Sequence, residues 1–410
     1  MQDIYGIPVS SPESVKEWNN IFIIVAVERG KKRCLCEKKR RSIIMRVVVF
    51  SNADSVWCKE YIEYVLSGQY EVLLISGVNK KYRRFYREKG VKVLCMNFSA
   101  GNTAYVSGKL ASQVHRDDIF HIHYVNPKIL KYVFLSWLKC KRRILTYWGS
   151  DILRASTKQI YFTLPFIYTA NEITVINNDM YEKLKSYVIR SKWNCIRCLD
   201  FGVPTFRDID ELEKQMMVSE CKSHFGMAAD KTIVAVGYNS RREQQHLEMM
   251  REVVKLPENI LSGMIFLFHF SYGDKDNSYI RQLEKFLKNH QIQYKIIWKF
   301  LDKKEIAILR LSTDIFLYGQ ITDGFSASVM ECLYAGAVLI KPRWLDYSEY
   351  DELVYYEYDK LKEISGILSK ITEDGICRMQ CNKKQLREKN SWETLAAEWK
   401  KLYADNSKEK

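Results

Sequence analysis

The residues best placed to do chemistry form one stretch, Asp323-Gly324-Phe325-Ser326-Ala327-Ser328-Val329-Met330-Glu331, running on through Cys332-Leu333-Tyr334-Ala335-Gly336 into Ala337-Val338-Leu339-Ile340. Ser328 and Glu331 have the S-x-x-E spacing of a capping box, Gly336 suits a helix end, and the apolar run after it suits a buried strand. The segment therefore reads as loop, helix, strand. A helix N-terminus facing a polar loop offers unpaired N–H groups and a positive dipole end to a phosphate. Flanking carboxylates can accept hydrogen bonds from sugar hydroxyls, which completes the outline of a nucleotide-sugar site. The competing reading is an ordinary capped helix in which Glu331 satisfies only the Ser328 backbone N–H.

The same segment resembles the E-x7-E signature of the retaining GT-B glycosyltransferases, a large family that includes sucrose- and glycogen-type synthases and many polysaccharide-building enzymes. Asp323 stands where the family usually has Glu, and Gly324-Phe325 where it has Phe-Gly; Glu331 and the small-residue turn match. The resemblance implies that Glu331 binds the donor ribose, that N–H groups at Ser326, Ala327 and Ser328 hold the diphosphate, and that Asp323 lies near the transferred sugar. Asp323, Glu331 and His123 are the expected catalytic residues. Phe120-His121-Ile122-His123-Tyr124 and Leu145-Thr146-Tyr147-Trp148-Gly149-Ser150-Asp151 look like the family's first-domain strand ends, where His-Gly-Ser-Asp is frequent in the second. Trp148 occupies the His position here, so that histidine's role is not carried over. Trp148, Val236-Gly237-Tyr238-Asn239-Ser240 and Phe268-His269-Phe270-Ser271-Tyr272-Gly273 are also similar, in patches, to transferases that add an acetamido-fucose to a lipid-linked oligosaccharide. Trp148 and Asp151 are expected on the acceptor side.

Arg241 and Arg242, with Asn239 and Ser240, follow a second-domain strand where the family often places basic residues against the donor diphosphate. Negative charge grows on that leaving group as the glycosidic bond breaks, so a guanidinium stabilises the transition state more than the ground state. Arg241 is nearer the strand end and is the first choice; a surface place on the following helix competes for both. GT-B enzymes generally use no metal, and neither metal nor other cofactor is expected. Asp274-Lys275-Asp276 has D-x-D spacing but reads as a solvated loop.

His121 and His123, two apart, share one face of a strand. No third ligand lies near them in the sequence, which argues against zinc. His123 is a candidate to contact the transferred sugar, and a hydrogen-bonded core histidine is the equal alternative. Asp151 either caps the next helix or touches an acceptor. Trp344-Leu345-Asp346-Tyr347 either packs over the donor base or closes the domain.

The chain's 410 residues, 47% of them hydrophobic, suffice for two cored domains. Eleven irregularly spaced cysteines do not form a disulfide framework, and Cys34-x-Cys36 and Cys195-x-x-Cys198 lack a second pair at zinc-site spacing. No apolar run has the length of a membrane span, and the N-terminus is polar where a signal peptide is apolar. A net charge of +15 is gathered at Lys31-Lys32-Arg33, Lys38 to Arg41, Lys80 to Arg84 and Lys139 to Arg143, the last beside Trp137. Basic and aromatic side chains together suit an anionic membrane surface. Nucleic acid competes, but no nucleic-acid-binding signature is present, so none is expected as a partner.

The elements that must position these residues alternate. Strands are expected at 46–50, 70–76, 91–95, 119–124, 143–148 and 172–176, with a helix over 59–67 after the first. A Gly/Pro-bearing join at Leu199 to Pro204 leads to strands at 231–237, 264–270, 294–298, 313–318 and 337–340. The fold class is α/β, with two Rossmann-like doubly wound domains facing across a cleft, the GT-B arrangement. Residues 45–203 form the acceptor domain, 204–400 the donor domain, and 401–410 a charged tail. Residues 1–44 resemble part of a small nucleotide-fold unit at the front of sugar-modifying acyltransferases and epimerases, and read as a partial or fused remnant.

The expected function is metal-independent, retaining transfer of a sugar from a nucleotide-diphosphate sugar to a cell-surface polysaccharide or a polyprenyl-linked glycan. The expected place is the cytoplasm, peripheral at the inner face of the cell membrane. Two alternatives stay open: an inactive glycan- or membrane-binding partner subunit of the same fold, and a sugar-nucleotide epimerase.

Overall fold

The computed structural model describes residues 23–28, 31–36, 45–273, 276–324 and 326–404. Most of the expected remnant, the basic run Lys38 to Arg41, Asp274-Lys275, Phe325 and the end of the expected tail lie outside these. The chain forms two compact units, 1–45 and 46–410. In the first, strands β1 (Ile23–Glu28) and β2 (Lys31–Cys36) pair antiparallel, Ile23 opposite Cys36.

The second unit holds two parallel sheets, each built of short apolar runs. One has seven strands in the order β5-β4-β3-β6-β7-β8-β9. These are β3 (Arg46–Phe50), β4 (Glu71–Ser76), β5 (Lys92–Cys95), β6 (Ile119–His123), β7 (Arg142–Thr146), β8 (Glu172–Val175) and β9 (Ile196–Cys198). The other has six, β12-β11-β10-β13-β14-β15. These are β10 (Thr232–Val236), β11 (Met264–His269), β12 (Tyr294–Ile297), β13 (Ile315–Leu317), β14 (Val338–Pro342) and β15 (Tyr356–Tyr358). Strand order reverses at β3/β6 and at β10/β13, and such switch points open a crevice at the carboxyl ends of the strands. The expected doubly wound α/β fold is borne out. Among the described residues of this unit, only the edge strands β9 and β15, three residues each, have no counterpart in the expected set.

Central β6 is buried along its whole length. Its even and odd positions go opposite ways: Phe120 meets Trp137 edge-on at 6.0 Å, while His121 and His123 lie together on the other face, rings 4.1 Å apart. A bidentate ion pair, Arg46 Nε and Nη2 to Asp118 at 3.0 and 2.7 Å, ties the start of β3 to the start of β6.

Three expectations are corrected. The helix over 59–67 is an α-helix, Val56–Tyr61, continued by a π-helical turn, Ile62–Leu66, closed by Ser67 N–H on the Ile62 carbonyl at 2.7 Å. The tail is packed at its start. The helix Trp392–Lys401 crosses back over the first sheet, and Leu402 and Tyr403 are buried, with Tyr403 Oη 2.5 Å from His121 Nδ1 and 2.6 Å from Tyr61 Oη. Trp137, expected at a membrane, is fully buried and donates to Thr169 Oγ1 at 2.7 Å.

The return crossing is close. Val203 N–H donates to the Asn390 carbonyl at 2.8 Å, and a Cβ on Gly202 would stand 2.3 Å from the Trp392 indole, so only glycine fits.

Candidate active site

Two cavities open at the strand ends. The first, about 480 Å³, lies in the first domain at the ends of β3, β4 and β6; Phe50, Trp57, Phe98, His123, Tyr124 and Trp148 supply its aromatic wall. The second, about 290 Å³, lies between the sheets. Trp148, Leu153 and Arg154 come from one side, Tyr238, Asp323, Ser326 and Ala327 from the other. Trp57 and Trp148 line both cavities.

Trp148 is fixed from below. Asp151 accepts its backbone N–H at 2.8 Å and that of Val125 at 2.9 Å, binding the ends of β6 and β7 together. Burial pushes the Asp151 carboxyl up to about 6. The Trp148 indole stacks on Phe201 at 4.0 Å and meets Trp57 edge-on at 5.8 Å. Its Nε1, like Nε2 of His123, is buried with no hydrogen-bond partner among the described residues. Burial pushes His123 down to about 3, so the ring is neutral, with one nitrogen a donor and the other an acceptor. His121 beside it is a core histidine, with Nε2 2.6 Å from Thr146 Oγ1 and Nδ1 on Tyr403.

Across the cleft, Asp323 Oδ2 takes three bonds, from Tyr318 Oη at 2.8 Å, Ser326 N–H at 2.9 Å and Tyr347 Oη at 3.1 Å. Burial raises its pKa. Arg154 reaches over from the first domain, donating to the Thr322 carbonyl at 3.3 Å. The signature helix is Ala327–Tyr334, and its cap is Ser326, whose hydroxyl accepts the Val329 N–H at 3.4 Å. That corrects the expected Ser328–Glu331 capping box. Asp323 folds the loop so that the helix starts earlier, which places Ser328 inside it with its hydroxyl accepting from Arg310 Nη2 at 3.0 Å. The helix ends as expected at Gly336, whose φ of +88° lets its N–H and that of Ala337 close on the Leu333 and Cys332 carbonyls.

Glu331 is buried and lines neither cavity. Thr205 Oγ1 donates to it at 2.6 Å and Arg310 Nε at 3.0 Å. Arg310 itself is 3% exposed, so the pair is sealed from water. Arg242 is turned away from both cavities, paired with Asp276 at 2.8 Å and over the Tyr279 ring. The loop Asn239-Ser240-Arg241 folds on itself, with Asn239 Oδ1 accepting the Arg241 N–H at 3.0 Å and Ser240 Oγ donating to the Tyr272 carbonyl at 3.1 Å. None of these four lines either cavity. Asp276 caps the helix Asn277–Asn289. Among the described residues no His, Cys, Asp and Glu cluster could hold a metal.

The structure thus gathers Asp323, Ser326, Ala327 and Trp148 at one cavity and His123 and Trp148 at the other. Trp57, Arg154 and Arg310 have no place in the sequence reading, and Tyr238 enters it only as part of the patch Val236 to Ser240. Arg310 had a signal: one arginine within Ile306-Ala307-Ile308-Leu309-Arg310-Leu311 marks a buried charge that needs a partner. Arg154 follows a short turn with no periodicity to flag it.

Residues 46–177 match the family model described as Glycosyl transferase 4-like. No curated protein sequence matches the chain. Among solved structures, HepE of Anabaena, crystallised in complex with UDP-glucose, superposes with a TM-score of 0.64 at 10% identity, over 88% of this chain and 99% of its own. A glycosyltransferase from Rickettsia africae gives 0.66 at 10%, over 88% and 99%. Sucrose-phosphate synthase from Thermosynechococcus elongatus gives 0.65 at 11%, over 88% and 98%. At these identities the likeness is one of fold, and it bears out the GT-B architecture. The family match, on the first domain, bears out the enzyme class, a glycosyltransferase.

Proposed function

We propose that the chain transfers a sugar, with retention and without a metal, from a nucleoside diphosphate sugar to a glycan or polyprenyl-linked acceptor at the inner face of the cell membrane. The observation that carries this is the pair of cavities sharing Trp57 and Trp148. The interdomain cavity, walled by the first turn of the signature helix, suits a donor whose phosphates meet the N–H groups that a helix start leaves unpaired. The aromatic cavity suits the apolar faces of an acceptor sugar, with the unpaired nitrogens of His123 and Trp148 ready for its hydroxyls. Residues 45–203 then carry the acceptor and 204–400 the donor.

In this reading the bond between the sugar C1 and the β-phosphate oxygen breaks as the acceptor oxygen closes on the same face of C1. The acceptor proton passes to the departing phosphate oxygen. No covalent nucleophile is required. Arg154, at the interdomain cavity beside Asp323, is the cation nearest the transferred group; Arg241 and Arg242 serve the diphosphate only if their loop turns inward. HepE holds UDP-glucose, so UDP-sugars come first in the test. A thermal-shift screen of UDP-, GDP- and dTDP-sugars should show stabilisation of several degrees by one nucleotide. Slow hydrolysis of that donor should accompany it.

The second reading, an inactive partner subunit, is favoured by one observation: Asp323 replaces Glu and its carboxylate is already engaged. Donor binding without any hydrolysis or transfer would select it. An epimerase would turn over the donor with no acceptor present.

A further inference from the structure

We propose that one face of the first domain, made by three neighbouring helices, docks on an anionic lipid bilayer. The helices Thr103–Gln113, Pro127–Lys139 and Thr157–Thr169 form one layer; the middle one packs against both others. Together they contain no aspartate or glutamate, although the whole chain has 49. Their exposed charges are all lysines: Lys109, Lys128, Lys131, Lys139 and Lys158. Between these, large apolar side chains stand in water: Tyr105 65% exposed, Leu135 55%, Leu138 43%, Tyr161 59%, Phe162 63% and Tyr168 38%.

The spacing makes this a surface and not scatter. Lys128, Lys131, Leu135, Leu138 and Lys139 follow one exposed stripe of the middle helix, opposite buried Leu130, Val133 and Trp137. Lys158, Tyr161, Phe162 and Tyr168 do the same on the third. Exposed aromatics mixed with cations and free of acids complement a bilayer: rings settle at the interface, lysines meet anionic headgroups, and no carboxylate repels them. Large apolar side chains exposed together on one face in this way mark an interaction surface. Ile129, in the first turn of the middle helix, also lines the aromatic cavity, so the stripe starts at the mouth of the acceptor site. A lipid-linked acceptor in the bilayer would then lie beside that mouth.

Of the basic run Lys139 to Arg143 that the sequence singles out, the surface includes only Lys139. There Lys141 pairs with Asp117 at 2.9 Å, and the Arg142 guanidinium is spent on the carbonyls of Leu402, Tyr403 and Ala404.

The proposal deepens the membrane part of the function above, and the test separates the two. The full chain is sedimented with neutral phosphatidylcholine vesicles and with vesicles that also contain phosphatidylglycerol, at low and high salt. Wild type should bind the anionic vesicles, less so at high salt. The pair Tyr161→Ser and Phe162→Ser should weaken binding about tenfold or more, and Lys128→Gln with Lys131→Gln should weaken it mainly at low salt. Lys362→Gln with Lys370→Gln, the same charge removed from exposed sites of the other domain, should change little. Equal loss in that control, or full binding by the aromatic pair, overturns this face and leaves the membrane reading standing. Failure of wild type to bind any vesicle overturns both. A dimer seen by analytical ultracentrifugation that the aromatic pair dissolves would give the face to a second copy and also overturn the proposal.

Discussion

The two walls of the cleft hold their polar groups in opposite states. On the first-domain wall, Nε2 of His123 and Nε1 of Trp148 are buried and unpaired among the described residues. On the signature wall, Asp323 carries three internal hydrogen bonds and Glu331 is held by Thr205 and Arg310. A buried polar atom without a partner costs about 1–3 kcal/mol, so the first wall tolerates a penalty that a ligand can remove. The second wall is finished without one. Recognition by exchange of bonds belongs to the first; the second offers a rigid frame, its helix start and its backbone.

That contrast can be broken hardest at Arg310. Arg310→Leu strands the Glu331 carboxylate in the interior and should cost about 3–5 kcal/mol in urea unfolding. Adding Glu331→Leu should recover much of it, since an apolar pair of similar volume often replaces a buried ion pair at little cost. A single variant as stable as wild type would show that water reaches the pair, and the wall would not be closed.

Gly202→Ala tests the crossing behind the cleft. A methyl group 2.3 Å from the Trp392 ring forces the linker and returning helix apart, at a cost of about 1–3 kcal/mol. Unchanged thermal unfolding would mean that the two crossings separate freely.

The two histidines sharpen the comparison within one strand. His123→Phe keeps ring volume, so stability should hold while kcat/KM falls about tenfold to a hundredfold. His121→Phe should do the reverse: it removes the bonds from His121 to the Tyr403 and Thr146 hydroxyls, leaving them only Tyr61 and Thr174, at a cost of about 1–3 kcal/mol, while the folded fraction keeps its activity. Equal effects on both readouts at both sites would erase the distinction.

Asp200, in the linker, gives a pH signature. Burial pushes its carboxyl up to about 7, while Tyr350 Oη donates to it at 3.1 Å. The folded state keeps this proton to higher pH than the unfolded chain does. Its contribution to stability is therefore full near pH 4 and is lost as pH rises through about 7. Asp200→Asn keeps an acceptor for Tyr350 and cannot ionise, so melting temperatures between pH 5 and 8 should slope less than in wild type. The smallest effect is expected from removing residues 1–44: a chain starting at Met45 should melt and turn over as the full chain does, because β3 begins at Arg46.

Much of the frame was legible because buried parallel strands are written as short apolar runs, as in Arg46-Val47-Val48-Val49-Phe50, and because Gly336 announces a helix end. The edge strands Ile196–Cys198 and Tyr356–Tyr358 were not, since three residues carry no period. Trp137 was misplaced by composition although its period was informative: Leu130, Val133 and Trp137 at i, i+3 and i+7 mark the buried face, and Leu135 and Leu138 the outer one. In the site, the signature's location was readable, but its cap moved to Ser326 because Asp323 turns the loop. No local rule foretells that Glu331 meets Thr205, which is 126 residues away. Partners brought together only by the finished fold leave no mark on their own neighbourhoods.

The return of the C-terminal helix sets an order of assembly. When a ribosome has released residues 46–203, all seven strands of the first sheet exist, yet the face bearing His121 still lacks Trp399 and Tyr403. Until the donor domain is made and Trp392–Lys401 swings back, that face is open to water and to other chains. The nascent first domain is therefore a natural client for a chaperone, and a premature stop anywhere in the donor domain releases a first domain that cannot seal itself.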